Sequence, residues 1–191
     1  NVFVAGDYQS HGDSGGAGGT MAGPPVPIGT YVLPGDTSLR ALFVFKLDKF
    51  GEPIWAQAFD GSGVDVARAL ALDANGNLII ATNFGGTNPF DAGQGGAGGA
   101  SGSAGPGWAL GRVNNSTGEL EESRAWFDAD EVTITDLDYE PSWQRFAVVG
   151  YQETASKGKD ALLMLFDDQS AQLGEPTKEW RFGDEGSGGA G

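Results

Sequence analysis

Four short phrases recur in the same order along this chain, and this repetition limits the folds that the sequence can adopt. The first phrase, A, has alternating polarity and occurs at Val66–Asp73 and Val132–Tyr139. The second phrase, B, occurs at Asn1–Tyr8, Asn77–Phe84 and Arg145–Gln152. The repeat is irregular, on the order of 55–75 residues long, so we expect tandem copies of one supersecondary unit.

Two further phrases complete each unit. The third phrase, C, occurs at Leu42–Asp48, Ala109–Asn115 and Leu162–Asp168, and the fourth, D, reads PIWAQAF, ESRAWFD and KEWRFGD. All four phrases are short, rich in β-branched or aromatic residues and bounded by turn residues, which is typical of β-strands. Asn75-Gly76 lies between A and B of the middle unit and predicts a hairpin, because both residues tolerate positive φ. Since no segment has a sustained helical period, we expect almost no helix.

The order of the phrases predicts an all-β fold made of β-propeller blades, each with four antiparallel strands. The chain reads B-C-D, A-B-C-D, A-B-C-D, which is roughly two and three-quarter blades where propellers usually close with about 4–8. We assign the units to residues 1–63, 64–128 and 129–191, with glycine-rich insertions at 9–39 and 85–107. The missing strand predicts that the chain is a fragment, completed by further blades of the same polypeptide or by other copies of the chain.

Composition narrows the classes of partner. The formal net charge is −15, from 26 acidic and 11 basic residues, and this opposes binding to nucleic acid. An acidic surface favours cations or basic partners instead. The chain has no cysteine, so a thiolate metal site is excluded. No apolar run approaches the roughly 20 residues that a spanning helix needs, so we expect no membrane span.

The stretch from Ala41 to Thr87 resembles the bacterial seven-bladed β-propeller repeat family, whose units follow the pattern FVAKLD..G...W...FGGSG.D...ALAVD..GN. The positions that fit are Val44, Lys46, Leu47, Asp48, Gly51, Trp55, Phe59, Gly61, Ser62, Gly63, Asp65, Ala69, Leu70, Asp73, Gly76 and Asn77. The full match covers about one unit, and the flanking units match in part. The resemblance implies a propeller fold in an exported or surface-associated bacterial protein, and it implies no activity.

We therefore expect a structural or protein-interaction module with no catalysis of its own and no bound cofactor. Two alternatives stay open: a surface protein that binds a cation or ligand, and a fragment of a larger propeller enzyme. The only histidine, His11, lies in a glycine-rich segment and has no cysteine to complete a metal site. No recognisable catalytic triad accompanies it.

Strand alternation places the B–C loops and the D–A loops at the same end of the units. Glycine and acidic residues accumulate on these loops, so we expect a possible protein partner on this glycine-rich acidic face. Ca²⁺ takes six to eight oxygen ligands. Because no complete calcium-loop motif is present, ordinary Asp-Gly turns are the alternative to a weak calcium site. The acids of this face are Asp60, Asp65, Asp128, Asp130, Glu131, Asp184 and Glu185, of which all but Glu131 are the calcium candidates.

The tryptophans of the D phrases are assigned a structural role. Trp55, Trp126 and Trp180 recur with the repeat, and we expect them to be buried between blades rather than to form a substrate platform. Trp108, at the start of a C phrase, has no such assignment.

Overall fold

A computed structural model describes residues 1–9, 24–34, 40–91, 105–127, 131–154, 158–168 and 173–183. Within these ranges the chain forms thirteen strands, no helix and four antiparallel sheets. The described residues therefore also contain no helix long and apolar enough to cross a membrane. The predicted all-β class is confirmed.

Sheet 1 has three strands in the order β1-β4-β5, namely β1 (Val2–Tyr8), β4 (Ala41–Leu47) and β5 (Pro53–Phe59). A two-stranded hairpin, β2 (Val26–Ile28) and β3 (Tyr31–Leu33), lies between β1 and β4 in the sequence. The hairpin packs along β5, where the Tyr31 hydroxyl donates a hydrogen bond to the carbonyl oxygen of Ile54.

Sheets 2 and 3 each have four strands that follow one another in sequence and in space. Sheet 2 contains β6 (Asp65–Leu72), β7 (Leu78–Phe84), β8 (Gly107–Val113) and β9 (Leu120–Trp126). Sheet 3 contains β10 (Glu131–Glu140), β11 (Arg145–Thr154), β12 (Gly158–Asp167) and β13 (Lys178–Phe182). Each phrase A to D coincides with one strand of these sheets, within a few residues at its ends.

The hairpin β2–β3 was not predicted, because residues 24–34 fall inside a segment that we expected to be a glycine-rich loop. Residues 10–23, 35–39 and 92–104 of the two insertions lie outside the described residues. Of the second insertion, residues 85–91 and 105–107 are described, and Phe90 there is buried in the core between sheets 1 and 2. Short strands such as VPI and YVL have too few residues to show a period, which is why the sequence does not reveal them.

The predicted turn at Asn75-Gly76 is confirmed. Gly76 has φ +79°, and its N–H donates to the carbonyl oxygen of Asp73 at 3.0 Å. Gly118, in the turn between β8 and β9, has φ +78° and lies against the Trp55 ring, so that a Cβ there would come within 2.8 Å of the ring. Glycine at 118 thus serves both the turn and the contact between two sheets.

A β-bulge interrupts the first strand of both four-stranded sheets. Arg68 of β6 and Thr135 of β10 are each skipped by the pairing with the next strand. The bulges lie at equivalent places, so Asp65 corresponds to Val132 in three dimensions. The sequence alignment of Val66 with Val132 was therefore wrong by one residue. Alternating polarity does not fix register, whereas a bulge does.

The three larger sheets stack face to face in chain order, with sheet 2 in the middle. One core cluster joins sheets 1 and 2, and a second joins sheets 2 and 3. Neighbouring sheets approach each other mainly along their first strands, β10 against β6 and β1 against β6. Because β7 and β8 are covered on both faces, nearly all of their residues are buried.

Candidate functional site

Each sheet has two faces, which we name by the neighbour in chain order. The forward face points toward the next sheet and the backward face toward the preceding one. In sheet 2, Ile79 and Leu110 lie on the forward face and pack with sheet 3, while Leu78 and Ile80 lie on the backward face and pack with sheet 1. Both internal contacts are thus formed by a forward face against a backward face.

Lys46 and Trp55 carry the polar part of the contact between sheets 1 and 2. They are neighbours on the forward face of sheet 1, and both donate to the carbonyl oxygen of Asn115 at 2.9 Å. Lys46 also donates to the Oδ1 of Asn115 at 2.6 Å. Both side chains are more than nine-tenths buried, so these bonds are formed where water cannot replace them.

Arg112 carries the polar part of the contact between sheets 2 and 3. Its guanidinium contacts Asp73 at 3.3 Å, Glu122 at 3.2 Å and Asp168 of sheet 3 at 2.8 Å. All four side chains are largely buried. Burial raises the pKa of Asp73 and of Glu122, although the nearby Arg112 opposes this shift in both.

These two polar contacts have the same arrangement at equivalent positions of successive sheets. The strand registers make Lys46 equivalent to Arg112, and Asn115 equivalent to Asp168. In each case a cation on the last strand but one of a sheet reaches the turn that follows the equivalent strand of the next sheet. The equivalent position in sheet 3 is Leu165, so the forward face of sheet 3 lacks this cation.

The three D-strand tryptophans lie on forward faces but not at equivalent positions. Trp55 pairs with Lys46, Trp126 with Trp108 and Trp180 with Leu163, which are three different rows of the sheets. The sequence alignment of the D phrases matched letters and missed this change of register. Trp108 is nevertheless a core residue, since it is 2% exposed and stacks on Trp126 at 4.1 Å.

The predicted burial of these tryptophans holds only where a next sheet exists. Trp55 is 4% exposed under sheet 2, and the half-buried Trp126 contacts Phe166 of sheet 3 at 5.6 Å. Trp180, on the last sheet, is 38% exposed. Its exposure has a simple physical reason, because no described sheet packs on the forward face of sheet 3.

The backward face of sheet 1 is also uncovered by any described sheet, since sheet 2 lies on the opposite side and the hairpin runs along β5. Phe43 and Phe45 stack here at 5.6 Å, and Tyr8 meets Phe43 edge-on at 6.1 Å. The aligned side chains of this face are Val2, Val4, Gly6, Tyr8, Ala41, Phe43, Phe45, Leu47, Ala56 and Ala58. None of them is charged.

The forward face of sheet 3 is the second uncovered face. Trp180 lies beside Leu163, and Phe182 at the end of the same strand is 60% exposed. The aligned side chains are Glu131, Thr133, Asp136, Asp138, Glu140, Arg145, Ala147, Val149, Tyr151, Glu153, Lys159, Ala161, Leu163, Leu165, Asp167, Lys178, Trp180 and Phe182. The centre of this face and its β13 side are apolar, and charged residues lie at both ends of the strands and along β10.

The first residue of β6, Asp65, carries a buried carboxyl group at the end of the sheets predicted to be acidic. Asp65 is fully buried, and its Oδ2 accepts a hydrogen bond from the Gly61 N–H at 2.7 Å, whereas its Oδ1 has no hydrogen-bond partner. The pKa of Asp65 is raised to about 7, mainly by burial; the Gly61 N–H opposes this shift and the nearby Asp60 contributes to it.

The other calcium candidates cannot be placed in the same way. Asp128, Asp130, Asp184, Glu185 and also His11 lie outside the described residues. Among the described residues, no group of three histidine, cysteine or acidic side chains could hold a metal ion. Asp60 and Asp65 by themselves supply too few oxygens for calcium, so the predicted calcium site stays a prediction.

Replacing Asp65 by asparagine should remove part of the pH dependence of stability. The pKa is raised from 3.8 to about 7 in the folded protein, so the carboxyl group stabilises the fold below pH 3.8 and loses this contribution as the pH rises through 7. We expect the free energy of unfolding of Asp65→Asn, relative to that of the wild type, to increase by on the order of 2 kcal/mol from pH 4 to pH 8.

Urea unfolding at several pH values would measure this gain. Glu131→Gln removes one charge from an exposed side chain at the same end of the sheets, so it should change stability much less. Parallel stability curves for the wild type and Asp65→Asn would show that Asp65 does not titrate as a buried group.

A cleft of about 210 Å³ opens at this same end between sheets 2 and 3. Asn83 spans it, donating to the carbonyl oxygen of Val132 at 2.7 Å and accepting from the Ile134 N–H at 2.9 Å and from Arg68 Nε at 3.1 Å. Arg68 belongs to sheet 2, like Asn83 itself, whereas Val132 and Ile134 belong to sheet 3. Asn83 therefore joins the two sheets, and the cleft is part of their junction.

The Arg112 cluster was not predicted as a site. One signal was present, because the C phrases carry a basic residue at the same place in FKLD and GRVN. The acidic partners come from three separate segments, and only the stacking of sheets 2 and 3 brings Asp168 to Arg112.

No family model matches the chain, and no curated protein has a matching sequence. The assignment to a repeat family therefore stays a proposal.

Proposed function

We propose that this chain is a structural and protein-interaction module built of β-propeller blades, which binds sheets of its own architecture through two uncovered faces. The observation that carries the proposal is the pairing rule of the two internal contacts: the equivalent face of sheets 1 and 2, which carries Lys46 and Arg112, packs on the following sheet in both cases. No described sheet packs on the backward face of sheet 1 or on the forward face of sheet 3. We assign the module no catalytic step.

The packing supports the propeller interpretation in two ways. The four-stranded sheets have consecutive strands and equivalent bulges, as repeated blades would. Sheets 2 and 3 are also nearest along their first strands, β6 and β10, as blades arranged around an axis are. Sheet 1 has no described counterpart of these strands, and β1 is its strand nearest to β6. With the motif resemblance of residues 41–87, this favours an exported or surface-associated bacterial protein.

The partners are further blades or other copies of the chain. A contact between a forward face and a backward face is heterologous, so it can be repeated around a ring. Aromatic rings such as Phe43, Phe45 and Trp180 are typical central residues of protein interfaces. The internal contacts serve as the template, because Trp55 on an equivalent face is buried by the sheet that follows it.

Sedimentation velocity of two face variants tests this function. Trp180→Arg disables the forward face of sheet 3, and Phe43→Arg disables the backward face of sheet 1. Because each variant keeps the face that the other has lost, we expect wild-type chains to self-associate and each variant alone to be monomeric. An equimolar mixture of the two should form dimers and nothing larger.

Two exposed aromatic residues supply matched controls. Trp143 is 70% exposed and Phe50 is 78% exposed, and both lie on turns outside the two faces. Trp143→Arg and Phe50→Arg should therefore self-associate like the wild type. A monomeric wild type at about 100 µM, a concentration at which specific interfaces are normally occupied, would contradict the proposal. A mixture that stays monomeric would contradict the pairing rule.

A further inference from the structure

The free edge of β1 differs from every other strand edge that the structure describes. Sheets 2 and 3 have four strands each, and their first strands β6 and β10 pair with the strands equivalent to β1. Sheet 1 has three described strands, and β1 pairs with β4 alone. One side of β1 therefore offers a row of backbone N–H and C=O groups to which no described strand pairs.

Proteins usually protect such edges with charges, bulges or a covering segment. The outer edges of β13 and β9 each carry three charged residues, among five and seven residues respectively, and the edge of β5 is covered by the β2–β3 hairpin. The free edges of β6 and β10 are interrupted by the bulges at Arg68 and Thr135.

β1 has none of these protections. Its sequence VFVAGDY contains one charged residue in seven, no proline and no bulge in its pairing with β4. A flat and largely apolar strand of this length is a template for another strand. The edge protections elsewhere make the unprotected edge of β1 the place where a strand can be added.

We propose that the free edge of β1 binds an extended peptide segment in trans, as an antiparallel strand with the sequence pattern of β6. The partner is thus defined by its chemistry: small residues on one side, apolar residues on the other and one extra residue that forms a bulge. This inference deepens the proposed function, since it adds an edge-binding partner to the face-binding ones.

The register of β6 on β7 specifies the pattern. Ala71 pairs with Ile79 and Ala69 pairs with Ala81, and these two partners are equivalent to Phe3 and Ala5 of β1. The bound segment therefore needs small residues opposite Phe3 and Ala5.

Two apolar residues and the bulge complete the pattern. Leu70 pairs with Ile80 and Leu72 with Leu78, which are equivalent to Val4 and Val2, so apolar residues belong there. The bulged residue Arg68 has no partner in the ladder, but its Nε donates to the Oδ1 of Asn83 at 3.1 Å. Asp7 is the residue of β1 equivalent to Asn83, so a basic side chain belongs at the bulge.

Sheet packing explains why the first two positions must be small. Ala69 and Ala71 are on the forward face of β6 and pack against the core cluster shared with sheet 3. Neighbouring sheets approach mainly along these first strands, so little space is left for a longer side chain. A strand added to β1 would face sheet 2 under the same restriction.

Fluorescence anisotropy of a labelled peptide with the sequence of residues 64–73, added to the full chain, tests the inference. We expect a Kd below about 100 µM, and at least about tenfold weaker binding when Ala69 and Ala71 are both replaced by leucine in the peptide. Val64→Thr in the peptide is the matched control and should leave the Kd unchanged, because Val64 precedes the first ladder pair and is 43% exposed.

Backbone N-methylation shows whether the contact is a strand ladder. One peptide is methylated on the amide nitrogens that face β1, and the other is methylated on the alternate amide nitrogens, which point away from β1. One peptide should lose binding and the other should keep it. Equal effects of the two methylation patterns, or equal binding of the leucine-substituted peptide, would overturn the inference.

Amide hydrogen exchange measured by NMR identifies the edge that the peptide occupies. Peptide binding should slow exchange at alternate amides of β1 and leave those of β13 unchanged. Protection at Lys178–Phe182 instead of β1, or no binding of the parent peptide at all, would overturn the proposal. Self-association through the two faces is measured separately without peptide, so failure of one proposal is distinguishable from failure of the other.

Discussion

Replacing Arg112 by methionine is expected to lower the free energy of unfolding by about 3–5 kcal/mol. The guanidinium contacts three carboxyl groups, from Asp73, Glu122 and Asp168, and its own side chain is 9% exposed. Methionine keeps most of the volume and removes the charge, so three buried acids lose the guanidinium that they share, although Glu122 keeps Arg124 nearby. The loss is larger than that of an ordinary ion pair because water does not reach the acids to replace the guanidinium.

The variant should also respond to pH in a specific direction. Burial already raises the pKa of Asp73 and Glu122 in the wild type, and Arg112 lowers the pKa of both. Without Arg112 the pKa of both acids should rise further in the folded protein. Because a raised carboxyl pKa stabilises the protonated folded state, the stability deficit of Arg112→Met should shrink as the pH falls.

Chemical denaturation at pH 5 and pH 8 would measure both effects. Arg145→Met is the matched control, because Arg145 pairs with Asp167 at 2.6 Å while both side chains are more than a third exposed. Its loss should be within about 1 kcal/mol. Equal losses for the two variants, or a deficit of Arg112→Met that grows at low pH, would contradict the interpretation of the cluster.

The strands could be predicted from the sequence because their signals are local. Hydrophobic alternation, turn glycines and tryptophan recurrence lie within single phrases, and β5 was predicted with the observed ends, Pro53–Phe59. Register is a different property. Register depends on the partner strand, both at the bulges of Arg68 and Thr135 and in the row that each tryptophan occupies. Aligning the phrases by residue type therefore gave the wrong register in both cases.

The candidate site was less predictable than the fold, since most of it consists of contacts between sheets. Lys46 is 69 residues away from Asn115 in sequence, and Arg112 is 56 residues away from Asp168. Nothing near Arg112 in the sequence identifies Asp168 as its partner. Exposure also depends on stacking order: Trp55 and Trp180 belong to the same phrase and differ in exposure because only one is followed by a described sheet.

Truncating Trp55 and Trp180 to alanine should give two different losses from the same substitution. Trp55→Ala is expected to destabilise the chain by about 3–5 kcal/mol, because it opens a cavity between sheets 1 and 2. The change also leaves the carbonyl oxygen of Asn115 with one donor fewer, and it removes the ring against which Gly118 packs. Trp180→Ala should cost about 1 kcal/mol or less in the isolated chain, since the ring is 38% exposed and part of its surface stays in water.

The same pair separates stability from assembly. If a following sheet covers Trp180 in the assembled protein as sheet 2 covers Trp55, Trp180→Ala should weaken self-association while leaving the unfolding of the monomer nearly unchanged. Urea unfolding at low chain concentration measures the first quantity, and sedimentation at high concentration measures the second. Equal destabilisation of the monomer by both substitutions would mean that Trp180 is already covered, and unchanged association of Trp180→Ala would mean that the forward face of sheet 3 is not an interface. A loss of association without a loss of monomer stability would instead show that Trp180 has the role of Trp55 and is covered only when chains associate.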